Sequence, residues 1–146
     1  MKKVVNILLV EDNEGDVLLT LEALKEVKIN NVTNVVNDGD KAIKYLNKEG
    51  VYKNVETPSL ILLDINLPKI DGREVLTYIK NDEVLKVIPV VMLTTSNAQK
   101  DIIESYQNYA NCFITKPSDY KNFIGMIHAV NNFWMDIAEL PYKINA

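Results

Sequence analysis

The stretch Leu60-Ile61-Leu62-Leu63-Asp64 is an uninterrupted apolar run that stops at a carboxylate. A short run without polar alternation is typical of a strand that is buried on both faces of a parallel sheet. Four further apolar runs predict strands as well, at residues 4–10, 31–36, 90–93 and 112–115. The run 31–36 is the weakest of them and is rich in β-branched residues. The sequence therefore predicts five strands.

The segments between these runs carry apolar residues at helical spacing. They are residues 17–25, 42–46, 75–79, 102–106 and a broad final stripe from Tyr120 to Ile137. Strands that alternate with helices form βαβ units with right-handed crossovers. We therefore predict an α/β fold of (βα)5 type, a doubly wound five-stranded parallel sheet between two helical layers.

Bulk properties limit the class of protein. The chain has 146 residues, of which 47% are hydrophobic and 25% charged, and its net charge is −4. This predicts one domain over residues 1–146, with neither nucleic acid nor a membrane as a partner. One cysteine and no signal-peptide pattern favour a reducing, cytoplasmic location.

Polar residues follow four of the predicted strands at the point where each strand ends. They are Glu11-Asp12, Asp64, Thr94 and Lys116-Pro117. In open α/β sheets the ligand site forms beyond the carboxyl ends of the strands. We therefore expect three carboxylates, a hydroxyl and an ammonium to converge on one patch.

The chemistry of this set indicates phosphoryl transfer. Crowded carboxylates repel one another and favour a hard divalent cation, and Mg²⁺ binds through one or two carboxylates, water and phosphate oxygens. Lys116 and Thr94 would contact phosphoryl oxygens. Asp64 in this setting is a competent nucleophile that forms an acyl phosphate.

Four segments, in chain order, resemble the signature regions of the response-regulator receiver domain. They are Leu8-Leu9-Val10-Glu11-Asp12-Asn13, Leu62-Leu63-Asp64-Ile65-Asn66-Leu67-Pro68, Leu93-Thr94-Thr95 and Ile114-Thr115-Lys116-Pro117. The resemblance spans roughly residues 5 to 130 and implies a flavodoxin-like, CheY-like fold. Glu14-Gly15-Asp16 and Phe133-Trp134 further resemble the stand-alone regulators found with bacterial and cyanobacterial phytochrome-type histidine kinases.

The resemblance implies a role for each matching residue. Asp64 would be the phosphoacceptor, and a partner histidine kinase would supply the phosphoryl group. Thr94 and Lys116 would contact that group. Mg²⁺ would be bound by Asp12, Asp64 and the backbone carbonyl of Asn66, and by Glu11 through water. Pro117 resembles the family's cis-proline. Phe113 stands where the family often has a switch tyrosine coupled to the threonine, and it lacks the hydroxyl.

The terminal segment, about 119–146, is predicted to form an extended helix and tail. Its apolar stripe is wider than one helix needs to cover a sheet. It either folds back on its own core or leaves a surface for self-association or for docking a partner, and we favour the exposed surface. The resemblance to the receiver family implies a homodimer through this helix, the fourth helix and the fifth strand.

Two other classes share some of these features. An aspartate-nucleophile phosphatase usually needs a second acid two residues after the nucleophile, where this sequence has Asn66. A scaffold that kept the fold without phosphorylation would not need the acidic pair, Asp64, Thr94 and Lys116. The sequence therefore favours a phosphoryl-accepting regulator that is not an enzyme toward other substrates. Its output would be by protein contact, by dimerisation, or by acting as a phosphate sink or relay.

Overall fold

The computed structural model of the chain describes residues 4–27 and 30–141. Five strands alternate with five helices, as the sequence predicted. The strands are β1 (Val5–Val10), β2 (Asn31–Val36), β3 (Leu60–Leu63), β4 (Val90–Thr94) and β5 (Cys112–Thr115). The helices are α1 (Glu14–Lys25), α2 (Gly39–Leu46), α3 (Gly72–Asn81), α4 (Gln99–Gln107) and α5 (Tyr120–Asn131).

The strands form one parallel sheet in the order β2-β1-β3-β4-β5. Its register brings the strand ends level: Val10 pairs with Leu63 of β3, and Thr94 pairs with Thr115 of β5. Glu11 and Asp64 therefore leave neighbouring strands at the same height. Lys116 follows β5, which lies two strands beyond β3, and its backbone N–H donates to the Thr94 carbonyl at 2.7 Å.

Two apolar cores lie on opposite faces of the sheet because successive side chains of a strand point to opposite sides. Leu8 and Ile61 pack with residues of α2 and α3 such as Ala42 and Val75. Alternate residues of the same strands pack on the other face, with Leu24 of α1 and Val130 of α5. The central strands are thus buried on both faces, which explains their unbroken apolar sequence.

The edge strand β5 departs from the prediction. Its run Cys112–Thr115 was expected to be buried on both faces, but its first three residues are half-buried and Thr115 is exposed. The reason is its position at the end of the sheet beside α4, whose only buried residue is Ser105. An apolar run alone does not distinguish an edge strand from a central one.

The terminal segment partly returns to the core. After α5 the chain continues as a π-helical turn, Asn132–Ile137. Met135 of this turn and Leu140 beyond it pack into the core on the α1 and α5 face. Trp134 is half-buried against the same core, while Phe133 and Ile137 are exposed. The predicted tail beyond Pro141 lies outside the described residues.

No helix in the described part of the chain is long and apolar enough to cross a membrane.

Candidate functional site

The loops at the carboxyl edge of the sheet are fixed by helix caps and close backbone packing. The Asn13 side chain accepts a hydrogen bond from the Asp16 N–H at 2.9 Å and so begins α1 directly after Glu11-Asp12. Asp71 caps α3 in the same manner, accepting from Arg73 N–H at 2.8 Å. Gly72, next to that cap, lies so close to the Asp64 carbonyl that a Cβ there would be 1.9 Å from its oxygen. The backbone on both sides of Asp64 is therefore held in place.

The structure brings Glu11, Asp12 and Asp64 together. One carboxylate oxygen from each lies within 4.8 Å of the other two. Glu11 and Asp64 are buried, whereas Asp12 is exposed and faces solvent. A group of oxygen ligands that is open on one side fits Mg²⁺, which keeps several waters and takes only a few protein ligands. The three carboxylates thus lie together at the edge of the sheet, and the part that each would take in holding the metal stays a prediction.

The Lys116 ammonium lies against this cluster, with its side chain only 3% exposed. It donates to Glu11 Oε1, to Asp16 Oδ2 at 2.9 Å and to Asp64 Oδ2 at 3.2 Å. Burial works to lower the pKa of this ammonium, but the hydrogen bonds to Glu11 and Asp16 outweigh it and hold the pKa above its ordinary value. Lys116 is therefore charged whenever the protein is folded near neutral pH.

Glu11 is the carboxylate whose protonation is most altered. Burial, together with the neighbouring Asp64, raises the pKa of Glu11 to about 7, although the Lys116 hydrogen bond works in the opposite direction. Removing a carboxylate from water disfavours its charged form, and a second carboxylate adds repulsion. Near neutral pH the Glu11 carboxyl group is therefore only partly ionised.

Thr94 is fully buried at the end of β4. Its hydroxyl accepts a hydrogen bond from the Ser96 N–H at 3.4 Å, and the Ser96 carbonyl accepts one from the Thr115 hydroxyl at 3.2 Å. The Ser96 hydroxyl also bonds Asp101 at 2.5 Å. The loop after β4 is thus tied to Thr94, to β5 and to α4.

Arg73 continues this connection to α3. Its guanidinium bonds Asp71 of the α3 cap and Asp101 of α4, each at 3.1 Å. A rigid planar guanidinium suits two carboxylates at fixed positions. The start of α3, which packs on Asp64, and the start of α4, which follows Thr94, are therefore joined by one side chain.

Phe113 lies on β5, half-buried against the core on the α2 and α3 face. Its backbone N–H donates to the Tyr106 hydroxyl of α4 at 3.2 Å. A tyrosine hydroxyl is thus present beside this position, although it comes from another element. A switch role for Phe113 stays a prediction.

Two family details have different outcomes. Asn66 is exposed two residues after Asp64, and its N–H donates to Asp64 Oδ1 at 3.3 Å; the metal role of its carbonyl stays a prediction. The expected cis bond before Pro117 is wrong, because no described peptide bond is cis. The Lys116 ammonium reaches Glu11, Asp16 and Asp64 with a trans bond before Pro117, the isomer that X–Pro bonds favour.

Sequence reasoning missed Asp16 as a member of the site. It lies in the first turn of α1, five residues after Glu11, and helical side chains tilt toward the N-terminus of their helix. That tilt points Asp16 back over the strand ends, which is a signal that the sequence contained. The partners Ser96, Arg73 and Asp101 depend on loop geometry, and sequence spacing did not indicate them.

The fold and this cluster define a class of signalling protein. The family model described as the response regulator receiver domain matches residues 7–128. The chain belongs to this family, and it is a response regulator of two-component signalling.

Particular relatives narrow the comparison. The chain is 45% identical to Response regulator Rcp1 of Synechocystis sp. over 135 residues, which are 92% of each protein. The structure matches the phosphorylated cyanobacterial phytochrome response regulator RcpA with a TM-score of 0.93 and 45% identity, covering 95% of this chain and 99% of that one. It matches the Mn²⁺-bound form of Rcp1 with a TM-score of 0.92 and 44% identity, covering 94% and 99% of the two chains.

Proposed function

We propose that Asp64 accepts a phosphoryl group from the phosphohistidine of a partner histidine kinase, in a reaction that needs Mg²⁺. The observation that carries this proposal is the position of the Asp64 carboxylate. It lies 3.2 Å from the Lys116 ammonium and within 4.8 Å of Glu11 and Asp12, at the solvent-facing edge of the sheet. A carboxylate nucleophile beside charge-neutralising groups is what acyl-phosphate formation requires.

Asp12, Asp64 and the Asn66 carbonyl would hold the metal directly, and Glu11 would hold it through water. Mg²⁺, when bound, supplies positive charge that offsets the carboxylates and the incoming phosphoryl oxygens. The open side of the cluster at Asp12 leaves room for waters and for the phosphodonor. This assignment is supported by the donor set and by the Mn²⁺-bound form of the relative Rcp1.

The transfer breaks one bond and forms another. An Asp64 oxygen attacks phosphorus, the P–N bond to the kinase imidazole breaks, and its electron pair stays on the imidazole. Lys116 neutralises charge on the phosphoryl oxygens. The Thr94 hydroxyl accepts from Ser96 N–H, so its own proton is free to be donated to a phosphoryl oxygen.

The same groups would support hydrolysis of the acyl phosphate by water. The chain would thus catalyse its own phosphorylation and dephosphorylation. Phosphorylated RcpA, with 45% identity over nearly the whole chain, supports the phosphorylation step.

The readout we propose is protein contact through a homodimer. Exposed apolar side chains lie on α4, in the turn that follows it, and on the segment from α5 onward: Ile103, Tyr106, Tyr109, Tyr120, Phe133 and Ile137. Apolar surface of this kind, beside the partly open strand β5, favours association. Phe113 would couple Thr94 to this surface. The single receiver domain over residues 1–146 is part of this proposal, and the cytoplasmic location and lack of a nucleic-acid partner stay predictions.

Incubation with Mg²⁺ and acetyl phosphate tests the phosphoacceptor. Intact-mass spectrometry should show one added phosphoryl group in the wild type and none in Asp64→Asn. Asp38→Asn is the matched control, because Asp38 is another buried aspartate after a strand, and it caps α2 rather than entering the cluster. Modification that persists in Asp64→Asn, or that is lost equally in Asp38→Asn, contradicts the assignment.

A further inference from the structure

Lys116 has three carboxylate partners for its three N–H donors. The partners are Glu11, Asp16 and Asp64. An ammonium has no further donor to offer, so in this state its hydrogen bonding is complete. Because the side chain is only 3% exposed, water cannot readily replace a partner that is lost.

Two of these partners have a second task. Glu11 and Asp64 belong to the group of carboxylates that can hold a divalent cation, whereas Asp16 does not belong to the group found among the described residues. A cation bound there would draw on the same two carboxylates that now accept from Lys116. A buried ammonium that is left without a partner strongly destabilises the folded protein. The Lys116 ammonium and the divalent cation therefore compete for the same carboxylates.

Asp16 is placed to relieve this competition. Its side chain is 23% exposed, it lies 2.9 Å from the ammonium, and the start of α1 is fixed by Asn13. Asp16 can thus keep Lys116 paired while Glu11 and Asp64 turn to the metal. The ammonium would stay beside Asp64, where the phosphoryl group arrives.

We propose that Asp16 is a positioning residue that holds Lys116 when the divalent cation occupies Glu11 and Asp64. This inference rests on the proposed function. Asp16 acts through Lys116, so removing its charge should weaken metal binding only while Lys116 is present.

A double-mutant cycle measures this dependence. Mn²⁺ is titrated into the wild type, Asp16→Asn, Lys116→Met and the double variant at constant ionic strength, and free Mn²⁺ is counted by electron paramagnetic resonance. Asp16→Asn should raise the dissociation constant about tenfold, which corresponds to about 1.4 kcal/mol of coupling between neighbouring charged residues. Lys116→Met should lower it, and in that background Asp16→Asn should change it by less than about twofold.

Two further variants separate positioning from general charge. Asp16→Glu keeps the carboxylate and should recover most of the affinity. Glu14→Gln removes another acidic residue from the same first turn of α1 and should change affinity by less than about twofold. Thermal unfolding by circular dichroism verifies that each variant is folded.

The inference is overturned if Asp16→Asn binds Mn²⁺ as the wild type does, or if its effect persists undiminished in the Lys116→Met background. The second result would mean that Asp16 acts on the metal by its charge alone. Phosphorylation of the wild type is measured in parallel. If Asp64 is phosphorylated while the cycle shows no coupling, only this inference fails; if Asp64 is not phosphorylated, the proposed function fails whatever the cycle shows.

Discussion

Gly72 is the position where one added methyl group tests how the site is built. A Cβ there would lie 1.9 Å from the Asp64 carbonyl oxygen and 2.7 Å from the Ile65 Cα. Both are backbone atoms, so neither can rotate away, and the Gly72 N–H is also bonded to the Ile65 carbonyl at 2.7 Å. Overpacking typically lowers the free energy of unfolding by about 1–3 kcal/mol. Because the obstructing atoms are rigid, we expect Gly72→Ala to lower it by about 3 kcal/mol.

Gly125 provides the matched control, because a Cβ built there meets nothing within 4 Å. It lies inside α5, where Ala is better than Gly by about 0.5–1 kcal/mol. Urea unfolding followed by circular dichroism should therefore move in opposite directions for the two variants. With a slope of about 2 kcal/mol per molar urea, their midpoints should differ by about 1.5–2 M. A Gly72→Ala midpoint at or above that of the wild type would refute the reasoning.

Four shorter predictions concern metal affinity, the pH dependence of stability, the core and the surface. Since the pKa of Glu11 is raised to about 7, metal affinity should fall about tenfold from pH 8 to pH 6, and Glu11→Gln should remove this dependence in a Mn²⁺ titration. In the metal-free protein the same raised pKa means that stability is lost as the pH rises from 4.5 to about 7, which urea midpoints will show. The Asn131 side-chain amide is buried and has no hydrogen-bond partner among the described residues. Asn131→Leu should therefore stabilise the protein by about 1–3 kcal/mol, and an unchanged urea midpoint would contradict this. The double variant Phe133→Ser and Ile137→Ser should abolish self-association in sedimentation, whereas Val51→Ser, at another exposed apolar residue, should not. A wild type that sediments as a monomer would contradict the proposed dimer.

The strand ends were predictable because local sequence determines them. Apolar runs mark buried strands, parallel strands finish at one edge, and so Glu11, Asp64 and Lys116 had to meet. The acidic cluster and its lysine follow from this topology alone.

What the sequence could not supply depends on three-dimensional packing. The apolar run Cys112–Thr115 is typical of a central strand, yet it lies at the edge of the sheet. Leu18 fits the apolar stripe of α1 but is exposed, while the buried positions include Thr20 and Ala23, because the contact with α5 selects the face of the helix. Asp16 was missed for a different reason: side chains of the first helical turn tilt toward the N-terminus of the helix, and this signal was present in the sequence but was not used.

The central claim is that one particular carboxylate of the cluster takes the phosphoryl group. Sodium borohydride reduces an acyl phosphate to an alcohol, so an aspartate that carries one becomes homoserine. The protein is treated with Mg²⁺ and acetyl phosphate, reduced, digested and sequenced by tandem mass spectrometry. Our account predicts homoserine at position 64 and unchanged Glu11 and Asp12. Reduction at Glu11 or Asp12, or none at position 64 in protein that has gained a phosphoryl group, would contradict it.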